Sequence, residues 1–162
     1  WLFNVKPSLI EVVVHPESII HSMVQFADGS VKAQLGSPDM RIPIQYALSY
    51  PSRLPLDSKR LDFFDLHQLT FRQPDLAKFP CLALAFEALE RGGNAPCVLN
   101  AANEIAVGAV LSDELKFALI PEVIRRTISE MPLAPIPDTD SIYAFDSEAR
   151  LRASAVLKSL TA

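Results

Sequence analysis

The fold is decided by the stretch SMVQFADGSVKAQLG, residues 22–36, in which two alternating segments flank a turn. In the first arm, Met23 and Gln25 alternate with Val24 and Phe26. The central Asp-Gly pair tolerates positive φ and strongly favours a β-hairpin. One face of this hairpin is apolar, and a two-stranded ribbon is marginally stable alone. We therefore predict that it belongs to a larger sheet, to an interface, or to both.

Two other runs favour extended structure. EVVV, residues 11–14, is a β-branched run that Pro16 ends, and HQLTF, residues 67–71, is one possible strand. The second run lies in the proline-containing segment 51–80, which has no long periodic pattern and is predicted to be an extended connection.

A helix is predicted over DMRIPIQYALSY, residues 39–50, with Pro43 in the first turn and Pro51 ending it. In the preceding turn, Ser37 or Asp39 is a candidate N-cap. The alternative is that Pro38 and Met40 present apolar surface to a flat ligand, which is the rarer arrangement.

The last half of the chain predicts four amphipathic helices with short connections, and hence an antiparallel four-helix bundle. Asp146 is the expected N-cap of the last one, and prolines 132, 135 and 137 form a stiff linker before it. The helices fall within residues 79–93, 94–113, 120–131 and 146–160. The predicted inward-facing residues are Leu82, Ala85, Phe86 and Leu89; Val98, Ala102, Ile105, Ala106 and Ala109; Val123, Ile124, Thr127 and Ile128; and Ala149, Ala153, Val156, Leu157 and Leu160. With the hairpin, the fold class is α+β.

The titratable residues His15, Glu17 and His21 raise the question of a metal site. Two histidines and a carboxylate could bind zinc, but the His-x5-His spacing matches no usual ligand pattern and Pro16 adjoins the first histidine. We favour local hydrogen bonds for these histidines, with a place lining a site as the second alternative.

A polar face on an otherwise apolar helix is formed by Asn100, Asn103 and Glu104 in LNAANEIAV, residues 99–107. No base, nucleophile or glycine-rich phosphate loop lies nearby, so we predict that they brace helices rather than catalyse. Cys81 and Cys97 are sixteen residues apart without a CxxC pattern, which favours reduced, buried cysteines of a cytosolic protein.

Composition excludes several classes of protein. The 162 residues are 49% hydrophobic, with a formal charge of −4, which suits a folded core and argues against nucleic-acid binding. No apolar run approaches the ~20 residues of a membrane span. The glycine-rich nucleotide loops and the GxSxG and HExxH motifs are absent from the sequence. The opening WLFN, without Met, suggests a truncated start.

The run EVVVHPESIIHSMVQFADGSVKAQLGSPDMRIPIQYAL, residues 11–48, closely resembles the 1-deoxy-D-xylulose 5-phosphate reductoisomerase family. The resemblance continues through LNAANEIAV to the last helix. It implies the C-terminal portion of an enzyme that converts 1-deoxy-D-xylulose 5-phosphate to 2-C-methyl-D-erythritol 4-phosphate in isoprenoid biosynthesis. NADPH and Mn²⁺ or Mg²⁺ would serve the full-length enzyme, with none expected on this part.

The resemblance also implies roles for individual residues and segments. His21 would lie near the active site, Met40 and Pro38 would border the nicotinamide, and hairpin 22–36 would form a homodimer. The implied domains are residues 1–57, the end of the central catalytic domain; 58–77, a connection; and 78–162, the helical domain. The chain alone is expected to be inactive, and its location cytoplasmic, in a bacterium or a plastid. The alternative is a non-catalytic helical dimerisation or binding module.

Overall fold

The computed structural model describes residues 5–161, so the predicted start at WLFN lies outside the described residues. Within that range the chain divides into two units, residues 12–74 and residues 5–11 with 75–161. The α+β class is confirmed. Within residues 5–161, no helix has both the length and the apolar content needed to span a bilayer.

The first unit is built on the predicted hairpin. Strands β1 (Ile20–Gln25) and β2 (Val31–Leu35) pair antiparallel, with Met23 opposite Ala33 and a register irregularity near Ile20. In the turn, Gly29 has φ +83°, and Asp28 Oδ1 accepts the Ser30 N–H at 2.9 Å. This is the positive φ that the Asp-Gly pair predicts.

Two helices follow the hairpin in the first unit. Helix α1 (Arg41–Ser49) holds Pro43 in its first turn and ends before Pro51, as predicted. Helix α2 (Phe63–Leu66) was not predicted; Asp62 caps it by accepting the Phe64 N–H at 2.8 Å.

The predicted strands 11–14 and 67–71 are wrong. Only a single bridge forms there, between Val14 and Arg72. The β-branched residues have extended propensity, but a ladder needs a partner strand, and within residues 12–74 the sheet has two strands only. Propensity without a partner therefore leaves an extended segment.

The second unit contains the four longer helices: α3 (Cys81–Arg91), α4 (Ala95–Leu111), α5 (Ile120–Glu130) and α6 (Thr139–Thr161). Short 3-10 helices are Pro7–Leu9 and Phe117–Leu119. Helix α4 packs against the other three. Its buried face is made of small side chains, which let neighbouring helices approach closely. The fully buried alanines there are Ala101, Ala102 and Ala106, which meet Ala149 and Ala153 of α6 in one core.

The predicted inward faces are largely confirmed in α4, α5 and α6 and wrong in α3. In α3 the buried residues are Leu84 and Ala88, whereas the predicted Ala85 is exposed. The segment CLALAFEAL is apolar around most of the helix circumference, so periodicity could not select the face.

The predicted N-cap of the last helix, Asp146, is also wrong. Helix α6 begins at Thr139, where Asp138 Oδ1 accepts the Ser141 N–H at 2.8 Å and its hydroxyl at 2.6 Å. Asp146 lies inside α6 and pairs with Arg150 one turn later, at 2.7 Å.

Asn94 holds the linker between α5 and α6. This buried amide donates to the Pro132 carbonyl at 3.0 Å and accepts the Ala134 N–H at 3.1 Å, while its own N–H donates to the Ala134 carbonyl at 2.9 Å. The preceding Gly93 has φ +51°, and a Cβ there would collide with the Ala134 carbonyl oxygen. The turn before α4 therefore requires glycine.

Two glycine-to-alanine variants should move stability in opposite directions. Gly93→Ala introduces positive-φ strain and a backbone collision, and we expect it to lower the free energy of unfolding by about 3 kcal/mol. Gly108→Ala, inside α4 and facing open space, should raise it by ~0.5–1 kcal/mol. Urea unfolding followed by circular dichroism measures both. A Gly93→Ala protein as stable as the parent would contradict the close packing of this turn.

Candidate functional site

His15 is held by hydrogen bonds on both ring nitrogens. Its Nδ1 lies 2.8 Å from the Thr70 carbonyl and 3.0 Å from Glu17 Oε2, and its Nε2 accepts the Ile19 N–H at 3.2 Å. Because Nε2 is an acceptor, the proton sits on Nδ1 and is donated to these oxygens. The ring also stacks on Phe71, with centroids 4.8 Å apart. The predicted local hydrogen bonds of this histidine are confirmed for Glu17 and Ile19, whereas Thr70 comes from a distant part of the chain.

Glu17 completes the same bend. Its carboxylate accepts the Thr70 hydroxyl at 2.6 Å and the Thr70 N–H at 3.2 Å. The Thr70 hydroxyl is the main cause that lowers the pKa of Glu17, with smaller contributions from backbone hydrogen bonds. We name the contacts of His15 and Glu17 with Thr70 and Phe71 the bend tether.

His21 lies apart from the bend tether, on the hairpin. Its Nδ1 is 3.1 Å from Gln34 Oε1, and its Cε1 lies near Gly36 at the end of β2. The two histidines therefore have separate partners, and within residues 5–161 no three His, Cys, Asp or Glu side chains are grouped to hold a metal ion.

In the turn after β2, Met40 is exposed to solvent, and hydrogen bonds hold the neighbouring residues in place. The Ser37 hydroxyl donates to the Lys59 carbonyl at 2.7 Å, and Asp39 accepts the Arg41 N–H at 2.9 Å. The Arg41 guanidinium, 2.6 Å from Asp39, lowers the pKa of that carboxyl. Asp39 thus satisfies a backbone N–H in the first turn of α1. Pro38 is exposed, and Met40 is 71% exposed.

The predicted bracing role of the polar face on α4 is confirmed for Glu104 and its partner Asn100. Asn100 donates to Glu104 Oε1 at 3.1 Å, and Glu104 Oε2 receives the Arg150 guanidinium of α6 at 2.5 Å. Arg150 also binds Asp146, and the paired guanidinium lowers the pKa of Glu104. These side chains join α4 to α6 and hold no reactive group.

The two cysteines are free and half-buried. Burial raises the pKa of both thiols, and the Cys97 Sγ lies 3.6 Å from the Ile142 carbonyl as a weak donor. A raised pKa disfavours the thiolate, so neither sulfur is an activated nucleophile.

Comparison with known proteins identifies the family of this chain. The family model described as the DXP reductoisomerase C-terminal domain matches residues 35–152. The chain belongs to this family. It is similar to the 1-deoxy-D-xylulose 5-phosphate reductoisomerase of Bacteroides fragilis, with 56% identity over 150 residues that cover 93% of this chain and 39% of the relative.

Solved structures of DXP reductoisomerases share the fold. That from Zymomonas mobilis in complex with NADPH matches with a TM-score of 0.92 and 43% identity, over 98% of this chain and 42% of that one. A second, in complex with NADPH, fosmidomycin and magnesium, matches with a TM-score of 0.89 and 39% identity, over 98% of this chain and 41% of that one. The chain thus spans about two-fifths of the length of the reductoisomerases it matches.

In this member of the DXP reductoisomerase family, Thr70 and Phe71 are the site residues that sequence reasoning missed. They lie more than fifty residues from the bend they contact. The run HQLTF carried only a weak strand signal, and no local pattern linked it to His15.

Thr70→Val should raise the pKa of Glu17 toward its usual value of 4.5, because the variant removes the hydroxyl that favours the carboxylate. In the parent, the lowered pKa means that ionised Glu17 stabilises the fold above its usual pKa. That stabilisation is lost as the pH falls through the lowered, folded-state value. Side-chain carboxyl ¹³C titration by NMR measures the shift. Asp28, whose pKa Ser30 lowers, is the internal control and should not move.

Proposed function

We propose that this chain is the C-terminal part of an NADPH-dependent enzyme that converts 1-deoxy-D-xylulose 5-phosphate to 2-C-methyl-D-erythritol 4-phosphate. The observation that carries the proposal is the family match over residues 35–152, together with 56% identity to a reductoisomerase over 150 residues. The substrate of the whole enzyme would be a sugar phosphate.

The residues of this chain do not fit the metal of such an enzyme. Within residues 5–161 no three potential ligands are grouped, and the sequence has no glycine-rich dinucleotide loop. The proposal therefore places NADPH and Mg²⁺ or Mn²⁺ on the remainder of the full-length protein. Structures of relatives in complex with NADPH and with magnesium support NADPH and a divalent metal as the cofactors of the whole enzyme.

His21, Pro38 and Met40 are the proposed contributions of this chain to the active site. His21 is exposed at the end of the hairpin, and Met40 stands out from a turn that Ser37 and Asp39 hold in place. An exposed apolar side chain on a fixed turn suits the edge of a nicotinamide ring.

The proposed domains are residues 1–57 for the end of the catalytic domain, 58–77 for the connection, and 78–162 for a C-terminal antiparallel four-helix bundle. Mutual packing of α3, α4, α5 and α6 supports the last of these. The bacterial relatives support the bacterial cytosol, rather than a plastid, as the proposed location.

A homodimer through residues 22–36 is the proposed assembly. Met23 is 43% and Val31 54% exposed, and the two-stranded sheet leaves unpaired strand edges within residues 12–74. Exposed edges with apolar side chains favour pairing with a second copy. The alternative function is a non-catalytic dimerisation module.

Turnover measurements separate the two functions. The purified 162-residue chain should oxidise no NADPH above background with substrate and Mg²⁺ or Mn²⁺, because its residues 5–161 contain no group of metal ligands. The full-length parent should turn over. Failure of the full-length protein would favour the non-catalytic module, and activity of the chain alone would refute its predicted inactivity.

In the full-length parent, His21→Asn should lower kcat/KM at least about tenfold, equivalent to ~1.4 kcal/mol of transition-state stabilisation. His67→Asn is the matched control. His67 is exposed at the end of α2, outside the hairpin and the turn after β2, and its substitution should leave kcat/KM unchanged.

Lysines on the hairpin should weaken self-association. Met23→Lys with Val31→Lys places two charges on the proposed interface and avoids the position opposite Lys32. Sedimentation equilibrium should show at least a tenfold rise in the dimer dissociation constant, about 1.4 kcal/mol. Leu111→Lys with Leu151→Lys, both exposed in the helical unit, is the control. Equal effects of the two double variants would argue against the hairpin interface.

A further inference from the structure

A cleft of about 450 Å³ opens in the unit formed by residues 12–74. Its lining comes from the end of β2, from α1, and from the irregular segment between residues 53 and 63. The volume is within the range of small-molecule sites in proteins. The lining contains neither the bend residues His15 and Glu17 nor the residues of the proposed nicotinamide edge, Pro38 and Met40.

Three cations contribute to the lining: Arg53, Lys59 and Arg60. The lining contains no Asp or Glu, although the whole chain carries a net charge of −4. The ion pairs formed within residues 5–161 involve none of the three. A concave surface with three unmatched positive charges attracts an anion.

Arg53 is oriented by an aromatic ring. Its guanidinium carbon lies 4.0 Å from the centroid of Tyr46 on α1, a cation–π contact. A guanidinium in a cation–π contact can still donate its N–H groups to the oxygens of an anion. The Ser37 hydroxyl fixes the backbone of Lys59 through a hydrogen bond of 2.7 Å, so the loop that carries the second cation is held against the turn after β2.

The remainder of the lining is apolar. Leu54, Leu56 and Phe63 lie in the same cleft as the cations, and Leu54 and Phe63 are more than half exposed. A bare inorganic anion would leave these side chains against water. A ligand with an anionic head and a small hydrocarbon group would cover both kinds of surface.

We propose that this cleft binds a small organic phosphate that carries an apolar group. The phosphate would lie among Arg53, Lys59 and Arg60, and the apolar group against Leu54 and Phe63. Two or more positive charges suit a phosphate dianion better than a carboxylate. The inference uses only residues 35–63 and does not depend on the proposed reductoisomerase activity.

Phenyl phosphate is the probe for this site. Isothermal titration calorimetry of the 162-residue chain at low ionic strength should show saturable binding. Inorganic phosphate should bind more weakly, and phenol should not bind detectably. Arg53→Gln and Lys59→Gln should each raise Kd about tenfold, the effect of losing one charge-assisted hydrogen bond. The triple variant with Arg60→Gln should lose binding.

Lys158→Gln is the matched control, since Lys158 is exposed in α6 and does not line the cleft. It should leave Kd unchanged. A second measurement needs no variant: limited acetylation of the unmodified chain, read by mass spectrometry. Saturating phenyl phosphate should slow acetylation of Lys59 severalfold relative to Lys158.

Three results would overturn the proposal. They are the absence of saturable binding at millimolar phenyl phosphate, a triple variant that binds as the parent does, and equal protection of Lys59 and Lys158. Circular dichroism of each variant establishes that it is folded before its Kd is compared.

Discussion

Residues 12–74 contain a single buried residue, Ile19 at 8% exposure, beside the His15 side chain at 6%, and this shortage of burial constrains the whole unit. Hydrophobic burial is the main favourable term in folding, so a segment with so little must be held by other contacts. The bend tether supplies them, because Glu17 and His15 fasten the start of the unit to Thr70 near its end. The apolar side chains left exposed on the hairpin and on α1 are consistent with further protein covering them.

The helical unit, in contrast, is stabilised by a buried hydrophobic core. Its core combines six alanines with nine larger side chains, of which Val98, Val123 and Ile124 are almost completely buried. Small side chains contribute little area each, but they allow α4 to lie close to three other helices and bury them together. The charged link through Arg150 lies at the edge of this core, where solvent limits its contribution to stability.

Sequence patterns predicted those parts of the structure in which a local rule coincides with burial. The Asp-Gly pair predicted the hairpin, and the helical spacing in α5 predicted that Val123, Ile124, Thr127 and Ile128 face inward. Prediction failed in α3, because residues around most of that helix are apolar and the sequence does not show which face is buried. It also failed at residues 11–14, which have strand propensity but no partner strand to form a ladder. The environment of His15 was predicted only in kind, since its partners Thr70 and Phe71 come from a distant part of the chain. The cationic cleft was not predicted, because Arg53, Lys59 and Arg60 lie in an irregular segment and form no recognisable motif.

The hydrogen bonds of Asn94 with Pro132 and Ala134 determine where this protein can accept insertions or deletions. Loops are ordinarily the places where insertions and deletions accumulate, and the proline-containing connection before α6 is a surface loop by position. Its backbone, however, forms three hydrogen bonds with one residue of another loop, two with the side-chain amide of Asn94 and one with its backbone N–H. An added residue between Pro132 and Ala134 would shift this register. The connection from Ser112 to Glu114, which bonds only to the end of its own helix, is the place where this unit can accept extra chain.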